Sequence, residues 1–217
     1  MHNLQSYGLA LHTTSPELGL ALSNFAGNDR HHTWDLGMSL STHLHVHLQE
    51  FMSPQTWADL RFIAVAKGPG SFTSTRLGMV TTRTLAQELE IPLFAVSTLA
   101  ALAWSQHQPS DEMIGNGTIA VEMPARRDAM FAGIYQIEMG NPLGLTTLLA
   151  DAVLPIATWQ QTLAAWPTPY RLIQAETGLG ESVLGVLDLA HQHWQKGERP
   201  LWSEALPFYG QHPVDDR

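Results

Sequence analysis

The run Lys67-Gly68-Pro69-Gly70-Ser71-Phe72-Thr73-Ser74-Thr75-Arg76-Leu77-Gly78 constrains this chain more than any other stretch. Before it, Phe62-Ile63-Ala64-Val65-Ala66 is a short, unbroken apolar run of the kind that makes a buried strand. After it, Thr73 to Leu89 is long enough for about four helical turns and stops short of Pro92. The unit is therefore strand, glycine turn, helix. Gly68 and Gly70 permit backbone angles closed to other residues, and Pro69 stiffens the turn between them. Ser71 or Thr73 can cap the helix with a side-chain oxygen. Unpaired N–H groups at such a helix start can hold an anion. No Gly-Lys-Ser/Thr follows, so this is not a Walker-type phosphate loop. A tight turn satisfied by its own caps is the plainer reading.

Patterns on either side predict layered α/β structure. Leu9-Ala10-Leu11 and Leu18-Gly19-Leu20-Ala21-Leu22 flank turn-forming residues and read as a hairpin, with a third strand near Thr33-Trp34-Asp35-Leu36. Ser41 to Phe51 reads as a helix with Leu40, Leu44, Leu48 and Phe51 on one face, stopped by Ser53-Pro54. Leu93 to Val96 is a short strand, and Ser97 caps a helix through Trp104. The polar run from Gln106 to Gly117 marks a boundary between residues 1–106 and 107–217. In the second part, Thr118 to Val121, Met130 to Ile137 and Leu145 to Leu149 read as strands, with Asn141 to Gly144 as a loop. Ile156 to Trp166 reads as a helix, Arg171 to Ala175 as a strand and Glu181 to Lys196 as a helix, and an extended tail covers Ala205 to Tyr209. Three strands, a helix, a strand and a helix thus occur twice, which argues for α/β layers.

Charge narrows the function classes. Twenty acidic residues oppose eleven basic ones, for a formal charge of −9, and there is no basic run. Nucleic-acid affinity rests largely on Lys and Arg displacing counterions, so strong RNA binding by this chain alone is not expected. The absence of cysteine excludes disulfides, iron–sulfur ligation and thiol catalysis. No apolar run approaches the roughly twenty residues that span a bilayer, and no signal peptide is evident. A cytoplasmic protein with no membrane partner is the expectation.

The wording of the central run carries more than its spacing. Gly68-Pro69-Gly70-Ser71-Phe72-Thr73 with Arg76-Leu77-Gly78 resembles the signature of the TsaB (YeaZ) family. Ile91-Pro92-Leu93 and Val96-Ser97-Thr98-Leu99-Ala100-Ala101-Leu102-Ala103 resemble that family too, as do Ala125-Arg126-Arg127 and Pro207 to Tyr209 more faintly. The resemblance implies two RNase H-like subdomains of the sugar-kinase, heat-shock-ATPase and actin architecture. It also implies a noncatalytic partner of a TsaD-like enzyme that forms threonylcarbamoyladenosine at position 37 of tRNAs reading codons that begin with A. A TsaE-like ATPase is a further implied partner, self-pairing is implied for the isolated chain, and tRNA is met only through the complex.

Two sets of residues follow from the resemblance. A vestigial nucleotide site would comprise His12, Thr13, Thr14, Gly68, Gly70 and Ser71. His12 stands where relatives commonly carry Asp, and a neutral imidazole cannot supply the negative charge that a hydrated magnesium ion favours. No cofactor is therefore expected beyond residual, weak nucleotide binding. A partner interface would comprise Thr73, Ser74, Leu77, Gly78, Thr81, Thr82 and Leu85 on the central helix, with His43, Leu44 and His47 on the preceding one. Small residues let another helix approach closely, although the same stripe suits packing on the chain's own sheet. On the docking reading, Gly78→Arg blocks association and leaves the fold intact.

His43 and His47 lie four residues apart, a spacing that can ligate zinc, but no third ligand is identifiable nearby and no metal is assigned. Arg126 and Arg127 read either as an anion contact or as a solvated turn. No catalytic residue is assigned. The rival reading is an enzyme of the same architecture, either a nucleotide-dependent phosphotransferase or a metal-dependent hydrolase.

Overall fold

Apolar runs separated by turn residues pair into two sheets. A computed structural model describes residues 6–107, 117–138, 144–175 and 178–210. In the first sheet β1 (Tyr7–His12), β2 (Glu17–Ser23) and β3 (Asp29–Asp35) form an antiparallel meander. Strands β4 (Leu60–Ala66) and β5 (Leu93–Val96) join in parallel on the other side of β1, giving the order β3-β2-β1-β4-β5. Central strands β1 and β4 are covered on both faces, hence their unbroken apolar sequence.

Helices α1 (Leu40–Met52) and α2 (Phe72–Leu89) cover one face. Leu44, Leu48 and Met79 pack there on Leu9, Leu11, Ile63 and Val65. The opposite face is lined by small residues and one large ring: Ala10, Ala21, Ala64 and Phe62. Its cover is α5 (Val183–Gln195), through Val183, Val186, Leu187 and Ala190.

The second sheet repeats the scheme in the order β8-β7-β6-β9. Its strands are β6 (Thr118–Pro124), β7 (Ala129–Glu138), β8 (Gly144–Pro155) and β9 (Arg171–Gln174), the last parallel to β6. On one side α3 (Thr98–Ser105) packs Leu99, Leu102 and Ala103 against Ile119, Val121 and Tyr135. On the other, α4 (Ile156–Ala164) buries Trp159 against Ala120, Ala132 and Ile134. The Trp159 indole donates to Glu122, whose other carboxylate oxygen accepts from Gln174 Nε2 at 2.7 Å, so this buried acid is hydrogen-bonded on both sides.

Helices are thus exchanged across the chain. Helix α3, early in sequence, covers the second sheet, and α5, late in sequence, covers the first. The two meet where Gly185 faces the Ala101 carbonyl, and a methyl group added at Gly185 would lie 2.4 Å from that oxygen. The arrangement is two α/β subdomains, each a mixed sheet with helices on both faces, the layering expected of an RNase H-like pair.

Three expectations change in extent. Strand β3 begins at Asp29, because its length follows pairing with β2 from Ser23↔Asp29 to Glu17↔Asp35 and not its own apolarity. Strand β8 runs on to Pro155, its register on β7 shifting near Ile134. The predicted helix from Glu181 opens instead as a short 3₁₀ turn, Leu179–Ser182. Most of the boundary run (108–116) and of the Asn141–Gly144 loop (141–143) lies outside the described residues.

Candidate functional site

The six residues assigned to a vestigial nucleotide site converge, and the glycine turn packs directly on the first hairpin, with Ser71 exposed at its edge. Strand β1 ends at His12, and Thr13, Thr14 and Ser15 turn towards β2, all of them buried. The glycine turn after β4 folds onto this hairpin: the Ser71 N–H donates to the Thr14 carbonyl at 2.7 Å, and Thr13 Oγ1 donates to the Ser74 carbonyl at 2.9 Å. A methyl group at Gly70 would lie 2.2 Å from the Thr14 carbonyl oxygen, so only glycine allows this approach. From α3, Thr98 donates its N–H to the Gly68 carbonyl at 2.9 Å and its hydroxyl to Thr14 Oγ1 at 3.2 Å. The tail packs on the same turn. The Phe208 N–H donates to the Lys67 carbonyl at 2.7 Å, and the Phe208 carbonyl abuts Gly68, whose φ of +102° also demands glycine. Phe208 and Thr98 were absent from the predicted set, because only the fold brings them to the turn.

His12 sits at the base of this junction, fully buried. Its Nε2 lies 3.3 Å from Thr14 Oγ1, and its Nδ1 has no hydrogen-bond partner among the described residues. Desolvation lowers its pKa to about 3, so the ring is neutral at physiological pH. Ser71 does occupy the N-cap position of α2, as predicted, but its hydroxyl makes no capping bond to the helix and instead donates to Ser74 Oγ at 3.1 Å.

The docking set divides in two. Gly78, Thr81 and Thr82 are buried, and a methyl group at Gly78 would lie 2.2 Å from Thr13 Oγ1. Thr82 Oγ1 donates back to the Gly78 carbonyl at 2.8 Å. The small-residue stripe of α2 is therefore a packing face towards the chain's own sheet, which corrects its reading as an outward docking surface. Leu44, fully buried in the core, leaves the set for the same reason. Thr73 and His43 are exposed, while Ser74, Leu77, Leu85 and His47 are half-buried.

The outward side of these two helices carries apolar residues that the inward-facing pattern did not single out: Val46 on α1, half exposed, Val80 on α2, 56% exposed, and Met38 just before α1, fully exposed. Because α1 and α2 cover the same sheet face, their outward positions share one surface. His47 stacks on Trp34 of β3 with ring centroids 4.6 Å apart, and His43 Nδ1 lies 3.1 Å from the Ser39 carbonyl. The described residues contain no group of three or more His, Cys, Asp or Glu placed to hold a metal ion. Arg126 and Arg127 lie in the exposed turn between β6 and β7. No described helix is long and apolar enough to cross a membrane.

Comparisons with known proteins converge. The family model described as TsaD, tRNA N6-adenosine threonylcarbamoyltransferase, matches residues 43–161. The tRNA threonylcarbamoyladenosine biosynthesis protein TsaB of Bacillus subtilis (strain 168) is 34% identical over 163 residues, which make up 73% of this chain and 65% of that protein. The matched region thus spans just under two thirds of the relative's length. TsaB of Buchnera aphidicola subsp. Schizaphis graminum is 36% identical over 97 residues, 43% of this chain and 40% of its own. Among solved structures, YeaZ from Pseudomonas aeruginosa superposes with a TM-score of 0.72 at 24% identity, covering 94% of this chain and all of that one. At that identity the superposition establishes the fold.

Proposed function

Since this chain belongs to the TsaB (YeaZ) family, within the wider family of the TsaD threonylcarbamoyltransferase, we propose that it is a noncatalytic partner subunit. It supports a TsaD-like enzyme in forming threonylcarbamoyladenosine at position 37 of tRNAs reading codons that begin with A. The observation that carries this reading is the close packing of the glycine turn on the hairpin and the tail. Gly70 lies against Thr14, Gly68 lies against Phe208, and His12 is neutral where an ion-holding carboxylate would be needed. That packing favours a partner over the rival phosphotransferase or hydrolase. A TsaE-like ATPase and a second copy of this chain are further partners in the proposal, and RNA contact falls to the enzyme, in keeping with the charge of −9.

The test is reconstitution. The purified chain alone is expected to modify no tRNA and turn over no ATP, and to raise modification when added to the TsaD-like enzyme of the same cell with a threonylcarbamoyl donor. Modification or ATP turnover by the chain unaided overturns the reading.

The docking surface we propose is the outward side of α1 and α2, with Thr73, Ser74, Leu77, Leu85, His43 and His47 around Val46 and Val80. Both valines are exposed, so Val46→Asp combined with Val80→Asp leaves stability within about 1 kcal/mol. Two carboxylates forced into a dry interface weaken association by about 100-fold or more. Calorimetric titration of the TsaD-like enzyme into the folded double variant checks this, and unchanged affinity removes this face from the proposal.

A further inference from the structure

An irregularity in β8 aims one acid at the joint between the two sheets. Between the pairs Ala132↔Ala152 and Ile134↔Leu149, β8 carries one residue more than β7. Such a bulge re-aims the side chains beside it. Asp151 lies in this bulge and reaches the corner where the chain leaves the first sheet. Ser97 forms that corner: it follows β5 and caps α3, the helix that lies on the second sheet. One Asp151 oxygen accepts from Ser97 Oγ at 2.5 Å, and the other accepts from the Tyr135 hydroxyl of β7. Ser97 Oγ in turn accepts from the Ala100 N–H at 3.1 Å.

With the carboxylate ionised, each of these three donors has its own acceptor, and the two bonds to Asp151 are charge-assisted. Protonation replaces those two with neutral bonds of about half the strength. It also ends the attraction of Lys67, at the end of β4, which favours the charged form. Burial pushes the Asp151 carboxyl above its ordinary value, and the hydroxyls of Ser97 and Tyr135 and the field of Lys67 hold that rise back. The other titratable groups around the cleft that Ser97 lines are His193 on α5 and Glu198 and Glu204 beyond it. His193 pairs with Glu198 at 2.8 Å, and Glu204 accepts from the Leu201 N–H at 3.0 Å, so both acids have partners of their own.

We infer that Asp151 is a proton-operated clamp on the joint between the two sheets: its carboxylate holds β7 and β8 to the β5–α3 corner, and the neutral acid lets that corner slacken. Local slackening and global unfolding then move in opposite directions. A folded chain that takes a proton more readily than the unfolded chain is stabilised by it. Asp151's own contribution to stability is therefore full at low pH and lost as pH rises through its folded pKa. The clamp tightens over that same rise. The inference is independent of any role beside a TsaD-like enzyme.

The test follows the full chain by NMR. The Asp151 carboxyl carbon gives the titration, with a midpoint expected above the ordinary 3.8. Hydrogen exchange of the Ala100 amide reads the corner. Exchange at Ala10, fully buried in β1, reads global opening, including any that follows from His12. Ala100 protection relative to Ala10 is expected to fall about tenfold as pH drops through the Asp151 midpoint. Lys67→Met removes the charge that opposes protonation, and is expected to move the titration and the loss of protection to higher pH together. Asp151→Asn puts a neutral group of the same shape in the clamp, and is expected to show the low Ala100 protection at every pH. Circular dichroism shows whether this variant is folded; if it is not, the wild-type titration and Lys67→Met decide the matter. An Asp151 midpoint at or below 3.8 overturns the inference. So does Ala100 protection that stays constant through the titration, or that folded Asp151→Asn retains in full.

Discussion

Gly78→Arg is expected to unfold this chain, not to produce a folded protein that has lost its partner. Helix α2 lies so close to the first hairpin that a methyl group at position 78 would stand 2.2 Å from Thr13 Oγ1. Thr13 cannot yield cheaply, because it is fully buried and its hydroxyl is held by the Ser74 carbonyl at 2.9 Å. Overpacking of a close-packed site costs about 1–3 kcal/mol for a few added methylenes, and here an unpaired guanidinium would be buried as well. The combined loss is expected to exceed about 4 kcal/mol, a large fraction of the 5–15 kcal/mol that holds an ordinary domain together. The measurement is a urea melt by circular dichroism and tryptophan fluorescence. A cooperative transition within 1 kcal/mol of the wild type would mean that α2 does not sit on the hairpin as described.

The second large effect is acid sensitivity through His12. Its folded pKa lies at about 3 against an ordinary 6.5, a depression caused by desolvation. The unfolded chain therefore binds a proton between those values that the folded chain refuses, and stability falls as pH drops through that window. Lowering the pKa from 6.5 to about 3 makes the full linkage on the order of 5 kcal/mol below pH 3, and roughly half of it is already lost at pH 4.5. His12→Gln keeps a polar group near Thr14 and removes the titration. The difference in unfolding free energy between pH 7.5 and 4.5 is expected to be smaller in the variant by about 2 kcal/mol. Comparing the two proteins cancels carboxylates that titrate in both, including Asp151 and Asp188, which burial shifts upwards. Equal pH dependence in the two would place His12 in contact with water.

Much of the fold was legible because hydrophobic period and turn chemistry agreed. The strand–glycine–helix unit appears as β4, the 68–71 turn and α2, and Ser97 caps α3 by accepting from the Ala100 N–H. What escaped depends on groups far apart in sequence. Strand β8 continues past Leu149 because Ala152 to Pro155 pair with Ala132 to Ala129 of β7, and Ser97 and Tyr135 satisfy the buried Asp151 carboxylate beside them. The β6–β7 hairpin turns through Arg127 and Asp128 at φ of +60° and +51°, where no glycine advertises a left-handed pair. At the site, the family signature pointed to a turn and a hairpin that the structure packs together. The orientation of α2 was not legible. Gly78, Thr81 and Thr82 suit close approach to a foreign helix or to the chain's own hairpin equally well, and only the path of the backbone decides between them.

The exchange of α3 and α5 between the two sheets has a consequence for how this protein can be divided. A fragment ending near residue 106 would carry α3 with nothing to lie on, and would expose the Ala10, Ala64 and Phe62 surface that α5 normally roofs. The complementary fragment would be stranded in the same way. Neither piece is a self-sufficient module. Splitting the gene there to make a two-part reporter would give sticky halves whose rescue depends on finding each other, and whose reunion would restore both roofs at once.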